Sequence, residues 1–390
     1  MTTLQLDIPA TAPDLEDDTV RRMSRLALSA LRRMFIPEKA MFAFTLRENG
    51  AGTRLEGLSD RYTAISLLGI STLPDGAARE VLHGLDPLDV CGAMIARVVN
   101  SDELGEVALA LWAARVLRHP DADRALLRLC ELTPDRRPCP TVELAWSLSA
   151  QVAPGSDVCD AALATRTAER LMDSFHAESD FFPHWPRGGR ASRLRGHVAC
   201  FADMVYPVQA LSYYYQYTSH SHARSRSLAL ACARKMCALQ GPAGQWWWHF
   251  DVRTGSVVER FPIYSVHQDA MAPMALAAVR EATGEDDGFS RAAQLGLRWL
   301  AHAPELAGES LVDESTGVIW RKVHRHEPGR FVRGAQALLS GASPKARLPL
   351  ADTLFPPGRI DRECRPYHMG WVLVAWPGAS HGSESSVPRS

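Results

Sequence analysis

His267-Gln268-Asp269 opens a run, AMAPMALAA, that is too apolar to lie anywhere but inside the protein. A histidine and a carboxylate held at the start of a buried helix have usable acid/base chemistry. Burial and the helix dipole shift their pKa values in opposing directions. Three further titratable groups lie among apolar neighbours: His368 in PYHMGW, Asp203 in ACFADMVYP, and Glu143 one turn into PTVELAWSLSAQV. His267, His368, Asp203, Asp269 and Glu143 are therefore the candidate catalytic groups. Around them, Arg61, Tyr62, Trp146, Trp185, His197, Tyr206, Trp246, Trp248, Gln268 and Tyr367 supply cations, amides and flat rings suited to holding a small molecule.

Each group also has a structural reading. Asp60 and Asp102 suit helix N-caps. Burying an unpaired carboxylate is costly, so Glu143 and Asp203 need partners, and Arg61 or Arg195 would serve Asp203. His267 and Asp269 can cap their own helix, and His368 can be a packed core histidine. Trp246, Trp247 and Trp248 cannot all face one way on a strand. One or two of them are expected to stack on a ligand, with the middle one against the protein interior.

The elements that must position these groups follow from hydrophobic periodicity. Striped, amphipathic segments alternate with segments that are apolar on nearly every side. The striped segments are 17–35, 77–99, 121–132, 156–176, 222–239 and 286–302. Each precedes an all-apolar one: 59–73, 102–117, 140–152, 198–218, 266–283 and 365–376. Six such pairs predict an all-α double ring, with six outer helices around six buried inner ones. Connections from inner to outer segments are short, whereas 37–58, 177–197, 241–265 and 304–364 are long, and loops of that length are usually functional. Every long loop leads into the start of an inner helix, so all of them should cover one end of the ring. A β-hairpin turning at Arg253-Thr254-Gly255 is expected in one of them. The first turns of the inner helices, which carry the residues named above, would open into that covered end.

The chain divides accordingly into a disordered segment at 1–15, one ring domain at 16–377 and a disordered polar tail at 378–390. With 46% apolar and 22% charged residues over 390 positions, the composition is that of a soluble globular protein. A formal charge of -1 gives no electrostatic argument for nucleic acid or an anionic membrane. No apolar run reaches the roughly 20 residues of a membrane span, and the acidic N-terminus lacks a signal-peptide pattern. A cytoplasmic protein acting on a small molecule is expected, and oligomeric state is not encoded in any pattern. The eight scattered cysteines include no C-x-x-C pair and are read as buried free thiols. No nucleotide, dinucleotide, metalloprotease or serine-hydrolase motif occurs. No cofactor and no metal are expected, although His197, Cys200 and a third ligand are a conceivable set.

This pattern resembles the (α/α)6 toroid superfamily of six-hairpin glycosidases, sugar 2-epimerases and unsaturated-uronyl hydrolases. The placement of Arg61, His197, His267 and His368 is similar to the Arg/His/His placement of N-acylglucosamine and cellobiose 2-epimerases. That resemblance implies two histidines moving a proton at the carbon next to a carbonyl, from opposite faces of the opened sugar. Those enzymes carry a Glu one turn after the first histidine; here the position is Ala270, beside Asp269. Gln240-Gly241-Pro242-Ala243-Gly244-Gln245-Trp246 resembles the Q-x-G-x-W repeat of squalene-type cyclases. It occurs once, and in place of the D-x-D-D acid there is only Asp157-Val158-Cys159-Asp160. Two functions follow: sugar or uronate acid/base chemistry (epimerase/isomerase or glycoside hydrolase), or a terpenoid-cyclase-like toroid acting on a polyprenyl substrate. A toroid that binds without catalysis is a third.

Overall fold

The computed structural model describes residues 13–50, 52–154, 160–186 and 195–379. The tail at 380–390, residues 187–194 of the loop before the fourth inner helix, and Asp157 to Cys159 lie outside the described residues. Residues 1–12 do too, but the outer helix α1 (Pro13–Met34) begins inside the segment expected to be disordered.

Inner helices are α2 (Asp60–Ile70), α5 (Leu104–Val116), α7 (Thr141–Val152), α9 (Ala202–Tyr217), α11 (Ala272–Thr283) and α15 (Pro366–Ala375). Each packs against the next in that order, and α15 returns against α2, closing a ring of six. Outside them lie α1, α3 (Asp75–Val81) with α4 (Pro87–Val98), α6 (Ala122–Glu131), α8 (Ala161–Asp173), α10 (Ala223–Ala238) and α12 (Phe289–His302). The periodicity thus places every pair, with one difference. The outer segment expected at 77–99 is broken in two where Asp86 caps α4 through the Leu88 N–H, with Pro87 at the first helical position. Among the described residues no helix is long and apolar enough to cross a membrane.

The ring closes by backbone contact. At Gly69 of α2, a Cβ would stand 2.4 Å from the carbonyl oxygen of Gly370 on α15; at Gly370 it would stand 2.5 Å from that of Ile65. Only paired glycines let the first and last inner helices approach so closely.

All the long connections do run over one end. They carry the small antiparallel sheets: Met41–Glu48 with Thr53–Leu58 and Glu363–Cys364, Val198–Cys200 with His249–Asp251 and Ser256–Glu259, and Lys322–Arg325 between Ile263–Tyr264 and Pro357–Asp361. The hairpin expected around Arg253-Thr254-Gly255 turns there. The connection before α15 also holds two helices that no periodicity indicated, α13 (Phe331–Ala342) and α14 (Ala351–Leu354). The seven described cysteines are free.

Candidate active site

All six inner helices contribute first-turn residues to the covered end, and their contacts form a continuous belt. Ser59 caps α2 by accepting the Tyr62 N–H, so Asp60 is not the cap; it pairs with Arg97 instead. Arg61 projects across to Glu143 of α7 at 2.7 Å and lies 6.0 Å over the Trp146 ring. Gly105 of α5 leaves room for that pair, since a Cβ there would meet the guanidinium at 3.1 Å. Trp146 packs edge-on against Tyr206 of α9, whose hydroxyl accepts the indole N–H of Trp371 on α15. These buried rings form the floor.

On the far side the chain enters α11 through a π-helical turn, His267–Met271. Such turns re-aim side chains and are frequent at functional sites. Asp269 is wholly buried and faces His368 of α15, with both carboxylate oxygens 2.8 Å from the ring Nε2. Burial raises the Asp269 carboxyl above its ordinary pKa, while the His368 ring opposes the shift. His267 stacks 4.4 Å from Phe201 and 5.1 Å from Tyr264. Burial lowers its pKa to about 3, with the nearby His368 adding to the effect. His267 is therefore neutral at physiological pH, and its buried Nδ1 has no hydrogen-bond partner among the described residues.

Asp203 is also fully buried, but neither arginine expected as its partner meets it. His184, on the loop before α9, places Nδ1 3.1 Å from both its oxygens, and the Cys200 N–H donates to it at 2.7 Å. The hydrogen bond to Asp203 raises the His184 pKa. Burial keeps the Cys200 thiol protonated, well above its ordinary pKa.

Several expected ligand-binding residues are spent elsewhere. Trp246 is 1% exposed, and its indole lies over Gly296 of α12, where a Cβ would meet it at 2.8 Å. It is core, and so is Trp247, which packs on Gly241 beneath Arg260. Gln268 commits its amide to the Trp246 N–H and carbonyl and to the Tyr264 carbonyl. It ties the two ends of the 241–265 connection to the start of the inner helix and has nothing left for a ligand. His197 turns to the Ser340 hydroxyl on α13, away from the basin groups and from Cys200. Trp248 alone of the three tryptophans is half-exposed; it stacks on His249 at 4.0 Å, with Arg333 of α13 4.7 Å above it. Trp185, half-exposed, stands edge-on to His184.

The rim sets the expected Tyr62 and Tyr367 beside charged groups, among them Arg365, Glu363 and Arg333, that the sequence did not single out. Tyr62 and Tyr367 pack at 4.7 Å, and Arg365 donates to the Tyr62 hydroxyl. Glu363 joins Arg47, Arg321 and Arg365. Burial pushes its carboxyl up, but these guanidiniums together bring it below the ordinary range. Arg333 has no carboxylate within ion-pair reach among the described residues, and half-burial with Arg330 and Arg195 nearby lowers its pKa. His249 is held neutral by burial and by Arg333 and Arg195. A separate outer cleft between α1, α11 and α12, lined by Val20, Arg280 and Gln294, holds none of these groups.

This closed double ring, with its loops at one end, defines the class: an (α/α)6 toroid. No protein-family model matches the chain, and the comparison with curated proteins finds no match. Solved structures sharing the fold include an unsaturated glucuronyl hydrolase specific for heparin, 14% identical with a TM-score of 0.57 over 93% of this chain and 96% of that one. The cellobiose 2-epimerase of Bacillus thermoamylovorans is 11% identical, with a TM-score of 0.59 over 93% and 99%. A sugar epimerase from a ruminal bacterium is 12% identical, with a TM-score of 0.57 over 93% and 98%. At these identities the likeness is one of fold.

Proposed function

We propose that the protein is a carbohydrate-active enzyme that moves a proton at the carbon next to a sugar carbonyl, an epimerase or isomerase. The observation that carries this reading is the buried contact of His368 with Asp269, with His267 opening the same π turn. Asp269 occupies Nε2 of His368, which fixes the tautomer and leaves Nδ1 as the nitrogen available to a substrate. His267 stays neutral in the same chamber. Two imidazoles are suited to the two halves of a proton transfer, a neutral one taking the proton and the other, in its protonated form, returning one. Arg61, steadied by Glu143, would hold the carbonyl oxygen or a uronate carboxylate. Trp248 and the Tyr62–Tyr367 pair offer ring faces for the sugar.

Glycoside hydrolysis is the second reading, since burial raises the Asp269 carboxyl toward the range of a general acid. Against it, every carboxylate considered for the chemistry is tied to a basic side chain: Asp203 to His184, Asp269 to His368, Glu143 to Arg61. The polyprenyl alternative calls for a nearly dry aromatic chamber, whereas these first turns carry histidines, arginines and carboxylates.

The test is a panel of aldoses, N-acylhexosamines, disaccharides and uronates incubated in heavy water and read by mass spectrometry. Epimerisation or isomerisation should add a single deuterium without fragmentation. Cleavage into two sugars would favour the hydrolase, and unchanged masses across the panel would refute both readings.

A further inference from the structure

The His184, Cys200 and Asp203 group takes no part in the proton transfer proposed above, yet it brings three different donor chemistries together. Nδ1 of His184, Sγ of Cys200 and a carboxylate oxygen of Asp203 all lie within 4.8 Å of one another. We propose that these three residues form a binding site for a zinc-class divalent transition-metal ion, with its remaining coordination positions open to the chamber.

The donor set decides the class of ion. Imidazole, thiolate and carboxylate together suit zinc or cobalt, whereas magnesium and calcium take oxygen ligands. Three protein ligands plus solvent is the arrangement of zinc sites that keep a position free. With metal–ligand bonds of about 2.0–2.3 Å, tetrahedral edges are roughly 3.3–3.6 Å. The His184–Asp203 separation of 3.1 Å is already close to that. The thiol has to close by about 1.5 Å at most, within reach of a rotation about its χ1.

The surroundings favour the same reading. Asp203 is wholly buried, Cys200 half-buried and His184 exposed, so an ion there is backed by protein on one side only. The Cys200 N–H donates to Asp203 Oδ2 at 2.7 Å, which orients the carboxylate and leaves Oδ1 facing His184. Such an outer hydrogen bond is what a metal-ligating carboxylate needs. The backbone is pinned beside it, since the Phe201 N–H donates to the Trp248 carbonyl at 2.8 Å.

The charges balance. The Cys200 thiol proton leaves to solvent when its sulfur takes the ion, and a neutral His184 moves its proton from Nδ1 to Nε2. Thiolate and carboxylate then neutralise the dication. The Arg195 guanidinium, near enough to act on His184, opposes the ion, and that pair of anions offsets it.

The experiment adds cobalt(II) to the full-length, chelator-treated protein. The expected result is one equivalent bound, with a thiolate-to-cobalt charge-transfer band and visible bands of tetrahedral intensity. Cys200→Ser should abolish the charge-transfer band, and His184→Ala should weaken binding at least about tenfold, in line with the loss of a supporting interaction. Asp269→Asn should leave the spectrum unchanged. Should Cys200→Ser not fold, zinc protection of Cys200 from alkylation, mapped by peptide mass in the unmutated protein, reports on the same sulfur. No charge-transfer band in the unmutated protein, a band that survives Cys200→Ser, or alkylation of Cys200 unaffected by zinc would each overturn the proposal. Deuterium incorporation by the chelated protein is read separately, so loss of the metal site and loss of the epimerase reading are distinguishable.

Discussion

Replacing Asp269 with Asn tests the proton-transfer reading most directly. The change is nearly isosteric, so the packing of the π turn is kept, but the amide cannot hold the His368 tautomer through a charge-assisted bond. A hydrogen bond to a charged group contributes about 1.5–3 kcal/mol. Lost from the transition state, that is about a 10- to 150-fold fall in kcat at 1.36 kcal/mol per decade. Stability should move the other way or hardly at all. Burial raises the Asp269 pKa, so the folded protein is working against the carboxylate's charge, and a neutral amide avoids that cost. The assay pairs the initial rate of deuterium incorporation with the thermal midpoint. A variant that keeps its full rate, or one whose midpoint collapses along with the rate, would refute the reasoning and mark Asp269 as a structural partner of His368.

The other expectations concern stability and packing. Below pH 6.5 the unfolded chain takes up a proton that folded His267 refuses until about pH 3. This residue's contribution to stability is therefore complete above 6.5 and falls by about 1.4 kcal/mol per pH unit on acidification. Asp269, whose folded pKa is raised, works in the opposite direction as it takes up its proton. Midpoints measured from pH 7 to 5 should fall more steeply for the unmutated protein than for His267→Gln; equal slopes would count against a buried neutral imidazole. Trp246→Ala should cost about 3–5 kcal/mol in denaturant melts. Trp248→Ala should leave stability within about 1 kcal/mol but raise KM, and the reverse ranking would show that the two rings have been assigned backwards. Gly370→Ala should destabilise by about 1–3 kcal/mol through overpacking. It should also slow turnover, because His368 lies on the same helix; an unchanged melt would mean that α2 and α15 part more easily than their contact suggests.

The ring was legible because burial writes itself into periodicity. Leu104 to Val116 is apolar all round, as an inner helix must be, and Ala122 to Glu131 is striped. The one-sided long loops followed from counting residues between those segments. Loop side chains were less legible, because their orientation depends on distant partners. Gly296 on α12 gives Trp246 its place in the core, and no local pattern joins the two. Gln268 reads as a polar group at a helix mouth, yet three backbone partners consume it. His197 and His184 lie on the same connection, and only the pairing of Val198–Cys200 with His249–Asp251 decides which one faces Asp203. The π turn, which points Asp269 at His368, has no sequence signature that separates it from an ordinary first turn. Glu143 is expected to need a partner, because a carboxylate inside an apolar segment demands a cation, but the sequence offers Arg61 to Asp203; the ring brings it to Glu143 from the inner helix two places away.

The Gly69–Gly370 seam has a bearing on synthesis. The wall it completes joins the first inner helix to the last, and the later-made of the two also delivers His368. A polypeptide stalled or clipped before Pro366 would leave a gap in the barrel and lack one imidazole of the pair, so unfinished copies should be both inert and open to proteases. Synthesis of α15 and onset of activity would then be a single event.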